Sequence, residues 1–415
     1  MADRHVAHLL IGGGLASANC ARWLRESGAE GEITLVGREP DPPYNRPPCS
    51  KGHLQGTESR EDTLFRPPGW WEEQAIDLRV RANVSRLDPQ ARTAKAGKEE
   101  LSFDQALVAT GANVRRLRVD GAGLDGVHYL RTLANSDTLR ADLEDARYVV
   151  VVGGSFIATE VAASCVLLGK EVALLMLEDV VHERTLGRQA GRFFQRVLGE
   201  HGVEVHGGQE LARFEGDGGE RISKVVTAGG LELDADVVVM GTGAVPDLTL
   251  ARSSGLELGE LGGIRCDRLL RTSAPGIYAA GDVCEYDSVI HGGPARIEHW
   301  DVAFNQGRTA AYNMLGRERP HDVMPYFWSD LADWVSLESV GAPRSWEQEV
   351  VRGSFDDGSF AVLYLAGSHV VGCLAVGRSD DLEGAGRLIA GHVDVAGRHE
   401  ALADPAIDLA ALAPE

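Results

Sequence analysis

The segment PPYNRPPCSKGHL, residues 42–54, holds an arginine, a thiol and a lysine among four prolines. Proline fixes φ and removes a backbone donor, so the stretch is too stiff for a helix interior, and its charges keep it out of a core. It reads as a loop that holds Arg46, Cys49 and Lys51 in place. The stretch begins a few residues after a strand–helix–strand pattern ends, and its thiol raises the possibility of redox chemistry.

The elements that must position these groups form an internal repeat. Residues 6–36 run strand, glycine turn GGG, helix LASANCARWLRESG and strand EITLV; residues 147–176 repeat the order with RYVVVV, GGS, FIATEVAASCVLLG and KEVALLM. In the first copy Gly12 supplies the tight turn and Gly14 lets a pyrophosphate approach a helix N-terminus, with Ser17 in the third glycine position. Glu39, preceded by Arg38, is the acid expected to accept from a ribose hydroxyl. The second copy keeps Gly153 and Gly154, but Ser155 and Ala158 replace the later glycines and Met176 ends the strand, leaving Glu178 as the nearest acid. A lone glycine turn is weak evidence, because such turns also join strands to helices for purely structural reasons; strand, glycines, helix and strand arriving twice in order argue for two dinucleotide units. Two further strands enter glycine turns, at Thr110–Gly111 and at Gly243, and read as the exits of the two units. After a third such strand come Gly281 and Asp282, where the aspartate can accept from the ribityl hydroxyls of a flavin.

Composition sets the outer bounds. With 415 residues, 44% of them hydrophobic, and 50 glycines, the chain suits two or three turn-rich α/β domains. Its net charge of −21 disfavours nucleic acid and anionic membranes as partners. No apolar run reaches the roughly 20 residues of a membrane span and the N-terminus lacks a signal-peptide pattern, so the expected compartment is the cytoplasm. The six cysteines are scattered, with no C-x-x-C pair, which argues against a structural zinc, an iron–sulfur cluster or a local dithiol.

GGGLAS, PPYNRPPCSK, ATG, VVGGSFIATE, GTGAVPD, AAGDV, RIEHW and PYFWSDL occur in the order found in the FAD-dependent pyridine nucleotide oxidoreductases. The chain resembles in particular the ferredoxin and rubredoxin reductases of bacterial oxygenase systems and the apoptosis-inducing-factor-like proteins. The resemblance covers nearly the whole chain and implies an α/β fold of the glutathione-reductase type: two Rossmann-like dinucleotide-binding domains, for FAD and NAD(P)H, and a smaller α+β C-terminal domain. The implied FAD domain is 1–112 plus 244–320, the NAD(P)H domain 113–243, and the C-terminal interface domain 321–415. Carried over by position, the FAD diphosphate contacts are Gly12, Gly14, Leu15, Ala16 and Ser17. The adenosine end falls to Arg38, Glu39 and the main chain of Val84, and Arg46 and Arg131 reach the cofactor from the segments around them. Thr110, Gly111, Gly281 and Asp282 follow the flavin side, and Glu298, His299, Trp300 and Trp328 surround the ring. The nicotinamide nucleotide is assigned Gly153, Gly154, Ser155, Phe156, Ile157, Glu160, Glu178 and Gly243, and NADH is favoured over NADPH because no basic cluster waits for a 2′-phosphate.

The same resemblance implies the reaction. NAD(P)H would pass hydride to the flavin, with Lys51 as the fixed charge beside N5 and Glu160 as its partner, and electrons would go on to a ferredoxin or rubredoxin. Arg296, Arg308, Arg344 and Arg352 are the cations that could offer an acidic carrier a docking surface on a monomer or homodimer. Two alternatives remain at this point: a slow, apoptosis-inducing-factor-like NADH-reactive flavoprotein that acts through partner binding, and a single-cysteine NADH peroxidase or disulfide reductase working through Cys49. In those cysteine enzymes the thiol precedes the Pro-Tyr region; here Cys49 follows it, where ferredoxin reductases carry leucine, so a buried thiol is the better reading.

Overall fold

A computed structural model of the chain describes residues 2–413 and divides into two compact units. The first comprises Met1–Asn45, Leu64–Asn113 and Val245–Phe327; the second comprises Arg46–Thr63, Val114–Ala244 and Trp328–Glu415. Met1, Pro414 and Glu415, which end the 1–112 and 321–415 segments, lie outside the described residues.

The first unit is built on a seven-stranded sheet. Arg4–Ile11 lies between Ile33–Val36 and Glu99–Val108, and Ile76–Arg79 and Ile277–Ala279 extend the parallel part. Its parallel strands include short runs such as ITLV and IYA with every residue buried, because a parallel sheet covered on both faces has no solvent side. An antiparallel run, Val84–Asp88 with Thr93–Ala96, closes one edge. The Leu15–Glu26 and Trp300–Met314 helices pack closely. At their contact a side chain on Gly307 would stand 2.3 Å from the Ala16 carbonyl oxygen, so glycine there permits the approach.

In the second unit a five-stranded, all-parallel sheet orders Val203–His206, Glu171–Leu175, Tyr148–Val152, Val237–Met240 and Val127–Tyr129. The Phe156–Leu167, Leu133–Asp145 and Glu183–Glu200 helices accompany it. The C-terminal residues form a five-stranded sheet in the order 326–331, 335–340, 369–376, 359–366 and 348–354, against which the Asp380–Ala390 helix packs. Here one expected docking cation is corrected. Arg352 is 1% exposed; it donates to the carbonyl oxygens of Leu402 and Ile407, each at 2.7 Å, and to Asp381 at 3.0 Å. An arginine used this way is a structural tie between the sheet and the chain's last segment, and it offers nothing to a partner.

Candidate functional site

Each nucleotide unit starts with the same construction. Gly12 has φ +120° and Gly153 φ +124°, and a β-carbon would stand 2.1 Å from the Ala109 carbonyl oxygen in one case and 2.3 Å from that of Gly241 in the other. Only glycine combines that backbone with that approach. In the first unit, Gly14 is the N-cap of the Leu15–Glu26 helix, no side chain caps it, and no protein atom lies within 4 Å of where its β-carbon would be. The first-turn N–H groups of Leu15, Ala16 and Ser17 have no carbonyl partner within the helix, and the positive end of the helix dipole lies behind them. Ser17 is wholly buried and its hydroxyl has no protein partner.

Around this cradle the first unit assembles most of the expected flavin-side residues. The Arg38 guanidinium is held by Asp247 at 2.8 Å and Asn113 at 2.6 Å, while Tyr44 donates to Glu39 at 2.6 Å. Thr110 donates to the Asp247 carbonyl oxygen, next to Gly111 with φ +69°, and Val84 is buried at the start of its strand. Gly281 N–H donates to Gln306 Oε1 at 2.7 Å, a buried partner that no motif signals. Arg296, expected as a docking cation, turns inward: it donates to the Leu261 and Asp282 carbonyl oxygens and to Glu298 at 2.5 Å, and so fixes the Asp282 turn. His299 caps the Trp300–Met314 helix and packs on Phe327; burial lowers its pKa to about 4, and its Nδ1 has no protein partner. Trp300 stacks on Phe304 at 5.0 Å and donates to Asn45.

The second unit holds the lysine. Prolines 47 and 48 open a single 3₁₀ turn, Pro47–Ser50, at positions where no donor is needed. Two ties fix that turn: Ser136 donates to the Cys49 carbonyl oxygen at 2.8 Å, and Ser164 to that of Ser50 at 2.7 Å. His53 and Arg60 both reach Asp137, anchoring the segment to the Leu133–Asp145 helix. Lys51 Nζ consequently stands 2.6 Å from Glu160 Oε1, in the Phe156–Leu167 helix, with the lysine side chain 20% and the glutamate side chain 4% exposed. Arg46 donates to the Arg131 carbonyl oxygen at 2.6 Å. Ser155 caps the Phe156–Leu167 helix without a side-chain capping bond. Phe156 stacks on the buried His182 at 4.6 Å, and Ile157 and Leu177 are exposed apolar residues at the same end of the sheet. Gly154 is packed by Met176, Glu178 pairs with Arg184 at 2.5 Å, and Gly243, with φ +90°, has open space beside it. Trp328 begins the C-terminal part of this unit, next to Ser329, which donates to Glu160 at 2.6 Å. Cys49 is buried, as are the other five free cysteines.

Two dinucleotide cradles on doubly wound sheets, one of them beside a largely buried lysine–glutamate pair, point to a protein that works through two bound nucleotides. The profile of the pyridine nucleotide-disulphide oxidoreductase family matches residues 6–307, and that of the reductase C-terminal domain matches 326–413. The chain belongs to this family of oxidoreductases, whose cofactors are FAD and NADH. It is 34% identical to the ferredoxin reductase subunit of 5,5′-dehydrodivanillate O-demethylase from Sphingobium sp., over 91% of each chain. It is 34% identical to rhodocoxin reductase of Rhodococcus erythropolis, over 92% of this chain and 89% of that one. Among solved structures, the ferredoxin reductase for the CYP199A2 system of Rhodopseudomonas palustris superposes with a TM-score of 0.92 at 32% identity, covering 98% of this chain and all of the other. The covalent putidaredoxin reductase–putidaredoxin complex gives 0.92 at 29% identity, covering 99% and 98%.

Proposed function

We propose that this protein is an FAD-dependent reductase that takes hydride from NADH and passes electrons to a ferredoxin or rubredoxin of an oxygenase system. The observation that carries the reading is the Lys51–Glu160 pair, 2.6 Å apart and largely buried, in a chain that also presents an open glycine cradle. The reductases named above, similar over nine-tenths of the chain, support the kind of acceptor. We further propose the domain division 1–112 with 244–320, 113–243 and 321–415. Chain crossings at 113/114 and 244/245 support the bounds of the middle segment, while the compact units group 46–63 and 328–415 with 114–244. A cytoplasmic location and a monomer or homodimer complete the proposal.

The residues present fit FAD: the free first-turn N–H groups, the space at Gly14, and the unpartnered Ser17 hydroxyl and His299 Nδ1 are polar groups without protein partners. When bound, FAD supplies hydride acceptance from a nicotinamide and stepwise release of electrons. Leu15, Ala16 and Ser17 would hold the diphosphate by their N–H groups, and Asp282, on a turn fixed by Arg296 and Gln306, would accept from the ribityl hydroxyls. Lys51 contributes a fixed positive charge where negative charge develops, and Glu160 supplies the counter-charge that offsets the cost of burying an ammonium. Ser155, Phe156 and Glu178 would receive the second nucleotide at the other cradle.

The test is NADH oxidation by the FAD-loaded protein with a panel of [2Fe–2S] ferredoxins and rubredoxins, read as carrier-dependent cytochrome c reduction. Acceleration by at least one carrier is expected. Slow turnover that no carrier accelerates would overturn the acceptor assignment and favour a role through partner binding.

A further inference from the structure

Glu160 receives more donors than an ion pair requires. Its Oε1 takes Lys51 Nζ and Ser329 Oγ, each at 2.6 Å, and its Oε2 takes Ser50 Oγ at 2.6 Å. Ser50 and Ser329 are each 1% exposed. They approach from opposite directions along the chain: Ser50 lies 110 residues before Glu160, and Ser329 lies 169 after it. Ser50 ends the 3₁₀ turn directly before Lys51, and its backbone is pinned by Ser164, which in turn accepts from Gln55 at 2.9 Å. Ser329 sits in the Tyr326–Leu331 strand directly after Trp328.

A carboxylate held by one flexible lysine can turn about its terminal torsion, which has broad wells, and carry the ammonium with it. One hydroxyl on each oxygen removes that freedom. We propose that Ser50 and Ser329 are positioning residues for the Lys51–Glu160 pair, and that through Ser329 the C-terminal segment sets where the lysine's charge stands. The inference rests on the reading of Lys51 given under Proposed function. It goes beyond that reading by making the charge depend on two side chains whose hydroxyls donate to Glu160.

A double-mutant cycle on the FAD-loaded protein tests it, with stopped-flow hydride transfer from NADH, the flavin midpoint potential and the NAD⁺ dissociation constant as readouts. Ser329→Ala is expected to slow hydride transfer about tenfold, the size of one lost hydrogen bond to a charged group. It should shift the potential in the same direction as Lys51→Ala and leave the NAD⁺ dissociation constant in place. In a Lys51→Ala background the serine change should cost nothing further, and Ser329→Thr, which keeps the hydroxyl, should restore the rate. Multiplying effects in the double variant, or a wild-type rate and potential in Ser329→Ala, would overturn the proposal. If Ser329→Ala loses FAD or its fold, Ser50→Ala reads the same pair from the other carboxylate oxygen, with the same supporting and opposing results. A wild-type rate and potential in Lys51→Ala alone overturns the reading of Lys51 itself, a failure seen in a different variant.

Discussion

Cys49 and Lys51 are two residues apart, yet their surroundings differ. The Cys49 side chain is buried, while its carbonyl oxygen takes the Ser136 hydroxyl as part of the scaffold under the lysine. A buried thiol behaves as a small apolar group, and replacing it with serine should cost packing rather than chemistry. Cys49→Ser is therefore expected to keep NADH oxidation within about threefold of wild type while lowering the melting temperature, because a hydroxyl is harder to bury than a thiol. Steady-state turnover checks this; loss of more than a hundredfold would restore the cysteine to the mechanism. Lys51 was legible because its segment matches a family motif. Ser329 was not, because an isolated serine in a strand carries no local signal and its partner lies 169 residues away.

At the scale of elements, the two strand–turn–helix units look alike in sequence and differ where their second strands end. In the first, Arg38 and Glu39 are tied to Asp247 and Tyr44; in the second, Glu178 holds Arg184, whose side chain is 75% exposed. A carboxylate at this point accepts from a ribose 2′-hydroxyl and repels a 2′-phosphate. Glu178→Ala should therefore lower kcat/KM for NADH and raise it for NADPH, each by roughly tenfold, since the freed Arg184 can pair with the phosphate. Steady-state kinetics with both coenzymes decides it, and an unchanged NADH:NADPH ratio would remove Glu178 from coenzyme selection. The glycines and strand periodicity of both units were readable because a tight turn and a buried parallel strand are local demands on the chain.

For the molecule as a whole, buried histidines make folding weaker in acid. Burial lowers the pKa of His182 to about 3 and those of His299 and His321 to about 4, from an ordinary 6.5. The unfolded chain takes up these protons near pH 6.5, whereas the folded chain resists them until about pH 3 to 4, so between those values the unfolded state binds more protons. Their contribution to stability is complete above pH 6.5 and falls as the pH drops, by about 2 kcal/mol per histidine at pH 5. Urea unfolding at pH 7.5 and pH 5.0 should show a lower midpoint in acid, and His321→Gln should shrink the difference. Equal midpoints at both pH values would show that these side chains are not buried neutral. Among the described residues no helix is long and apolar enough to cross a membrane.

By itself the sequence determined the two nucleotide units, their glycine turns and the order of the motifs, because backbone conformation at a turn and apolar periodicity in a strand depend on neighbouring residues. Tertiary structure decided which polar groups meet. Arg352, read from its charge as a docking cation, is an internal tie to Asp381; Arg296 braces the Asp282 turn; and Glu160 gathers Ser50, Lys51 and Ser329. The physical reason is that a buried charge must find its donors wherever packing brings them, and packing joins segments whose separation along the chain carries no pattern.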